Sequence, residues 1–248
     1  MERVAYERFA LLEDTHFWFV GRRAIFFDLL DRELAGRSGL QVLEVGCGAG
    51  GMLGPLQRYG RVHGIDVDRE YLGFCRRRGF ADLLCGSGHD LPFRDESFDV
   101  IALFDTLEHI PDEHRALTEV RRVLKPGGTV FLSAPAYEWL WSNNDDIAHH
   151  QRRYTATRMR RALRQAGLAV KRTTYFNTVL LPLIVPSICW QKLMGRLGRL
   201  PAGFNNTTVR VPRPLNWLFT RIMSGERLVL RRVSLPLGHS LIAIAGRA

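Results

Sequence analysis

Glu44-Val45-Gly46-Cys47-Gly48-Ala49-Gly50-Gly51 follows directly on the apolar run Leu40-Gln41-Val42-Leu43 and leads into Met52, Leu53 and Leu56. Residues 40–45 read as a buried strand and the residues beyond the glycines as a helix start. The glycines therefore occupy a strand-to-helix turn, the place where open α/β sheets bind ligands at the carboxyl ends of their strands. Glycine suits it because the backbone can approach a ligand with no Cβ between them. Gly46, Gly48 and Gly51 have G-x-G-x-x-G spacing, and Asp66 stands about twenty residues on, where an acid meets ribose hydroxyls. Glu44 adds a constraint. A carboxylate in a strand expected to be buried is costly unless a donor or a cation faces it, and a pyrophosphate beside it would be repelled. The turn thus favours a nucleoside that carries positive charge over a dinucleotide.

Outward from this turn, helical and extended stretches alternate. Helices are expected over Val4–Glu13 and Trp18–Ala35, before Gly36-Arg37-Ser38-Gly39 breaks the pattern. Strands are expected at Arg61–Asp66, Ala81–Cys85, Phe98–Phe104 and Thr129–Ala134, with helices after Asp66 and over Glu113–Leu124. Such alternation predicts right-handed βαβ units and a parallel sheet. Beyond an aromatic and polar stretch, Tyr137–His150, come a basic helix Thr155–Ala166 and a strand Leu168–Tyr175. Residues 177–232, with a helix near Leu215–Leu230, read as an insertion before a last strand, Ser240–Ala245. The 248 residues are expected to form one domain: N-terminal helices (1–39), a cofactor-binding core (40–176), the helical insertion (177–232) and the last strand (233–248).

A ligand with both an ammonium and a sulfonium group, plus an adenosine whose ribose would meet Asp66, is S-adenosylmethionine. Five pieces in order resemble the motif series of class I S-adenosylmethionine-dependent methyltransferases. They are Glu44–Gly50, Gly64-Ile65-Asp66, Leu91-Pro92-Phe93 with Ser97-Phe98-Asp99, Leu107-Glu108-His109-Ile110, and Arg122-Val123-Leu124-Lys125-Pro126-Gly127-Gly128. The resemblance spans about residues 40–135. It implies an α/β, Rossmann-like, seven-stranded, mostly parallel sheet with an antiparallel last strand. It also implies Gly46, Cys47, Gly48 and Gly50 under the methionine part, Asp66 on the ribose and Val67 against adenine. Ser87, Gly88 and His89 would lie at the adenine edge, and Phe104, Asp105 and Leu107 beside the sulfonium. Ser87 stands where the family often has an acid, and a hydroxyl can accept the same hydrogen bond.

Further stretches resemble a bacterial subgroup that often acts on sugars or lipid-linked compounds: His16-Phe17-Trp18-Phe19, Gly21-Arg22-Arg23, Pro135-Ala136, His150-Gln151-Arg152-Arg153-Tyr154-Thr155 and Leu235-Pro236-Leu237-Gly238. Trp18 and Arg22 are expected to close over the cofactor, with the Arg22 guanidinium on the methionine carboxylate. Where the acceptor is a hydroxyl, a base must take its proton, and His150 and His109 are the candidates. Asp105, Glu108 and His109 form a D-x-x-E-H cluster similar to the divalent-metal pattern of some quinone-ring O-methyltransferases. Glu108 and His109 also occur in metal-free relatives, and no metal is expected.

Charge is split unevenly. Up to Ala148 there are 17 Lys and Arg against 24 Asp and Glu; from His149 onward there are 18 against a single acid, Glu226. The C-terminal hundred residues are thus suited to an anionic partner, although the 32 arginines against 3 lysines also fit a coding bias. Thr178–Trp190 is apolar, but 13 residues with two prolines fall short of a bilayer span. With the amphipathic stretch Leu215–Ile222 it suits a peripheral membrane contact through 178–222, a lid over a lipid-linked acceptor, or a homodimer surface. The (N/D)-P-P-(aromatic) motif of base methylation is missing, Phe104-Asp105-Thr106-Leu107 standing in its place, so nucleic acid is disfavoured. The expected acceptor is an oxygen of a small molecule, sugar or lipid-linked compound. An RNA methyltransferase and a nicotinamide-dependent enzyme are the alternatives. The four cysteines make no CxxC pair and the first eight residues have no secretory pattern. A cytoplasmic setting, with the inner membrane face for the basic third, is therefore expected.

Overall fold

The computed structural model describes residues 12–199 and 211–247. The helix expected over Val4–Glu13 therefore lies almost wholly outside the described residues. The elements run α1 (Phe17–Leu34), β1 (Leu40–Val45), α2 (Leu53–Leu56), β2 (Gly60–Asp66), α3 (Arg69–Arg77), β3 (Leu83–Cys85), β4 (Phe98–Phe104), α4 (Glu113–Val123), β5 (Leu124–Pro135), α5 (Asn143–Ala148), α6 (Ala156–Gln165), β6 (Ala169–Phe176), α7 (Leu181–Arg196), α8 (Arg213–Leu230) and β7 (Ser240–Gly246). Seven strands form one sheet in the order β3-β2-β1-β4-β5-β7-β6. Strands β1 to β5 pair parallel, and β7 runs antiparallel between β5 and β6.

Alternation along the strands divides the core. Leu43, Ile101, Val130 and Leu132 face α4 and α6, where Leu117, Val120, Met159 and Leu163 cover them. Their neighbours Val42, Val100 and Phe131 face Ile25, Phe26 and Leu30 of α1 and Met223 of α8. Successive side chains leave opposite faces of a strand, so a central parallel strand covered on both sides is apolar throughout. The runs Val100–Phe104 and Val130–Leu132 read that way.

Helix α1 lies along α8, and at Gly21 a Cβ would stand 2.8 Å from Met223 Cγ. Glycine there lets the two helices meet. The buried Glu226 of α8, the sole acid after Asp146, accepts hydrogen bonds from the backbone N–H groups of Asn177, Thr178 and Val179, each at 2.7 Å. It ties α8 to the turn that leaves β6. Burial pushes its carboxyl up, against the three amides that favour the ionised form.

Three expectations change. The apolar run after Thr178 is one helix, α7, because Pro182 falls in its first turn and Pro186 forfeits only one backbone donor. Strand β5 begins at Leu124, which already pairs with Phe98; pairing shifts register and resumes at Thr129 opposite Val100. The stretch before His150, read as irregular, contains α5, capped by a reciprocal Ser142–Asp145 box. Among the described residues no helix is long and apolar enough to cross a membrane.

Candidate functional site

The strand order reverses between β1 and β4, the switch point at which the loops leaving the carboxyl ends of neighbouring strands diverge. A cavity of about 1090 Å³ opens there, lined by the turns after β1 to β5 and by α1, α7 and α8. Gly46, Gly48 and Gly50 all have positive φ, at 74°, 50° and 87°. A Cβ on Gly46 would lie 2.3 Å from Thr106 Cγ2, so the turn after β1 closes against the turn after β4 only with glycine. Asp66 lines the cavity and orders the turn, accepting from Gly48 N at 2.8 Å and Asp68 N at 3.0 Å. The Cys75 thiol donates to Gly48 O at 3.1 Å from behind.

Glu44 is 2% exposed, reaches the cavity, and leaves Oε2 with no hydrogen-bond partner. Burial, then nearby negative groups including Glu13 and Asp66, push its carboxyl well above the usual carboxylate range, with Arg22 opposing. Glu13, which sequence reading did not single out, packs where a Gly51 Cβ would be and pairs with Arg78 at 2.9 Å. The cavity is therefore acid-rich around the turn, with Glu13, Glu44 and Asp66 on its wall.

The other expected cofactor residues are placed as follows. Gly46, Cys47, Gly48, Val67, Ser87, Gly88, His89, Phe104 and Asp105 all line the cavity, Val67 at its exposed rim. Ser87 Oγ accepts from His89 N at 3.2 Å, which shapes that edge. Gly50 and Leu107 do not line it. Gly50 sits behind the turn, where a Cβ would be 3.0 Å from Cys75 Sγ, and Leu107 is wholly buried in the core. Trp18 lines the cavity with its ring stacked on Phe176, centroids 6.1 Å apart. Arg22 also lines it, but its guanidinium pairs with Asp105. Asp105 in turn accepts from Ser133 Oγ at 2.9 Å. Arg22 thus stands on the cavity wall with its guanidinium paired to a protein carboxylate.

His109 and His150 meet at the same cavity, ring centroids 4.7 Å apart. His150 Nδ1 lies 2.8 Å from Asp145 Oδ1, and Arg153 grips both oxygens of that carboxylate at 2.8 Å. Burial would raise Asp145, yet the hydrogen bonds from His150 and Arg153 outweigh it and hold the carboxyl well below its ordinary range. An ionised Asp145 can only accept, so His150 donates to it from Nδ1. His109 is lowered to about 4 by burial and by His150 beside it, so it is neutral near pH 7. The rest of the 150–155 motif secures this loop. Arg152 donates to Ile110 O and Pro111 O, both at 2.6 Å, and the Tyr154 hydroxyl to Glu113 at 2.6 Å. Sequence reading missed Asp145; its one signal was an acid five residues before His150.

An apolar wall faces these polar groups. Leu180, Leu183, Ile184 and Ile188 at and along α7, Phe219 of α8 and Phe17 of α1 supply it, with Phe17 and Phe219 in edge contact at 5.2 Å.

Comparison with known proteins agrees with this geometry. Residues 43–132 match the family model described as a methyltransferase domain. A protein of Mycolicibacterium smegmatis named "probable S-adenosylmethionine-dependent methyltransferase" is 32% identical over 168 residues, 65% of this chain and 63% of its own. A fatty-acid O-methyltransferase of the same organism is 41% identical over 96 residues, 36% of this chain and 35% of its own. The chain spans 31% to 63% of the length of the first curated relatives it matches. An S-adenosylmethionine-dependent methyltransferase from Mesorhizobium loti superposes with a TM-score of 0.57 over 88% of this chain and 96% of its own, at 18% identity. The family match is to a methyltransferase domain and not to a nicotinamide-dependent enzyme. Residues 43–132 thus form a methyltransferase domain, set in a seven-stranded sheet whose fold is that of S-adenosylmethionine-dependent methyltransferases.

Proposed function

We propose that the protein transfers a methyl group from S-adenosylmethionine to an oxygen of a hydrophobic, lipid-type acceptor. The observation that carries this reading is the buried Glu44 carboxylate, with Oε2 unpartnered, at an acid-rich turn faced by an apolar wall in one cavity. An orphaned buried carboxylate is destabilising unless a cation completes it. The ammonium and sulfonium of the cofactor are such cations, so the donor set fits this group.

When bound, S-adenosylmethionine supplies an electrophilic methyl carbon with a neutral thioether as leaving group. The chain's residues do the rest. Glu44 receives the ammonium, Asp66 the ribose hydroxyls, Gly46 and Gly48 allow close approach, and Ser87 and His89 border the adenine. Trp18 and the α7 wall exclude water and align the acceptor, the main requirement of an in-line displacement. His150, fixed through Nδ1 by Asp145, stands beside His109 at the acceptor side.

Calorimetry should show micromolar binding of S-adenosylmethionine and none of NAD. With methyl-labelled cofactor, label should enter fatty-acyl or polyprenyl-linked acceptors extracted into organic solvent. Label found in RNA or in water-soluble sugars would overturn the acceptor assignment, and no cofactor binding would overturn the whole reading. The 41% identity to a fatty-acid O-methyltransferase supports the lipid class.

The same acceptor class accounts for the outer surface of the wall. Trp190 and Trp217 are each 62% exposed, and Leu193, Leu197 and Leu218 are exposed beside Arg196, Arg213 and Arg221. Apolar side chains interleaved with arginines suit an anionic membrane face. Co-sedimentation with anionic liposomes at low salt is the expected result, weakened several-fold by a Trp190→Ser/Trp217→Ser double variant. Equal recovery with neutral and anionic vesicles would end the membrane assignment.

A further inference from the structure

Glu108 has no exposed surface, and neither of its carboxylate oxygens has a hydrogen-bond partner among the described residues. An orphaned carboxylate at this depth needs an explanation. Its neighbours supply one. Glu108, His109 and His150 each bring a ligand atom to within 4.8 Å of the others, and all three line the cavity. Each imidazole is also anchored through the remainder of its ring: His150 Nδ1 sits 2.8 Å from the Asp145 carboxylate, and His109 hydrogen-bonds the Ala148 backbone. A histidine held by a carboxylate or carbonyl on one nitrogen, with the other nitrogen free toward a shared centre, is the arrangement that orients imidazoles on metals.

We propose that Glu108, His109 and His150 bind one divalent first-row transition ion, of which Zn²⁺ is the type, at the acceptor side of the cavity. Two neutral imidazoles and one carboxylate suit such ions, whereas Mg²⁺ and Ca²⁺ take oxygen sets. The ligands differ from the D-x-x-E-H grouping that the sequence suggests. Asp105 is taken up by Arg22 and Ser133, and His150 enters from the loop after β5. The proposal departs from the expectation of no metal. Three protein ligands leave the cavity side of the ion open, as in catalytic metal sites. An acceptor oxygen in that position would be oriented, and a hydroxyl there would lose its proton to solvent more readily. That role rests on the methyl-transfer reading; the binding of the ion does not.

The test is titration of the chelator-stripped full chain with Zn²⁺ by calorimetry, with Mg²⁺ in a parallel arm. One Zn²⁺ per chain is expected at micromolar or tighter affinity, with Mg²⁺ much weaker. His150→Ala and His109→Gln should each weaken Zn²⁺ binding at least 30-fold. Asp145→Asn removes no ligand, only the charge that orients His150, and should weaken it about 10- to 100-fold. His150→Gln serves as the conservative variant should His150→Ala fail to fold, as judged by thermal melting. Absence of Zn²⁺ binding, unchanged binding in the His150 variants, or a preference for Mg²⁺ would each overturn the proposal. S-adenosylmethionine titrated into the same samples separates the two readings. Cofactor binding without zinc binding removes only the metal, and zinc binding without cofactor binding removes only the methyltransferase.

Discussion

Glu44→Gln is expected to raise the melting temperature of the ligand-free protein and to weaken S-adenosylmethionine binding about 100-fold, or ~2.8 kcal/mol. Both effects have one cause. In the free protein a buried carboxylate with an unpartnered oxygen stands near Glu13 and Asp66. Relief of that strain is worth about 1–3 kcal/mol, which is roughly 2–4 °C per kcal/mol for a chain of this size. In the complex the same charge faces a cation, and its removal forfeits a charge-assisted hydrogen bond in a low-dielectric site.

The pH dependence has a defined sign. The folded-state pKa of Glu44 is raised above its unfolded value of about 4.3. Its contribution to stability is therefore fully present below that unfolded value and lost as pH rises through the folded one. The stability advantage of Glu44→Gln should be absent near pH 4 and grow toward neutrality. Melting curves between pH 4 and pH 8 measure it. An advantage that is flat across that window, or a variant with undiminished cofactor affinity, would remove Glu44 from the site.

Glu226→Ala should destabilise the fold by about 3–5 kcal/mol, since a buried acceptor is withdrawn from three backbone donors at once. Glu226→Gln keeps one acceptor oxygen and should lose about half as much. In denaturant titrations the alanine variant should also exchange the amide protons of Asn177, Thr178 and Val179 first, because the turn is released from α8 before the sheet opens. A change of melting temperature under about 2 °C would show that water replaces the carboxylate there without loss.

Glu226 also shows where sequence reading stops. As the only acid among 18 basic residues after His149 it is conspicuous in the chain, yet nothing local reveals its partners, which lie 47 to 49 residues away. The cofactor turn was legible because its constraints are local. Positive φ, a close approach and a carboxylate near a strand end all fall between Glu44 and Gly51. The central sheet was legible because strands buried on both faces are apolar throughout; β5, with its register shift after Phe98, was read too short, and β3 two residues too long. Arg22 was placed on the cofactor because a guanidinium there suits a carboxylate. Its pairing with Asp105, whose backbone stands at φ 51°, is a feature that residue spacing does not disclose. Asp145 was missed because α5 is a single short turn region without apolar periodicity. Helix α7 was read as broken because two prolines count against a helix in sequence, whereas in the fold one of them falls at its start.

The seam at Gly21 and Met223 binds the first described helix to the last one. All of the apolar wall on the α7 and α8 side is borne by a single excursion of the chain between β6 and β7, whereas the methyl donor's turn belongs to β1 and β4. On the proposed reading the apolar part of acceptor selection lies in that excursion, while His109 and His150 stay with the loops after β4 and β5. Grafting a different excursion, provided it keeps a small-residue seat for α1 and an acid at the Glu226 position, is a route to new acceptors with the donor half left intact.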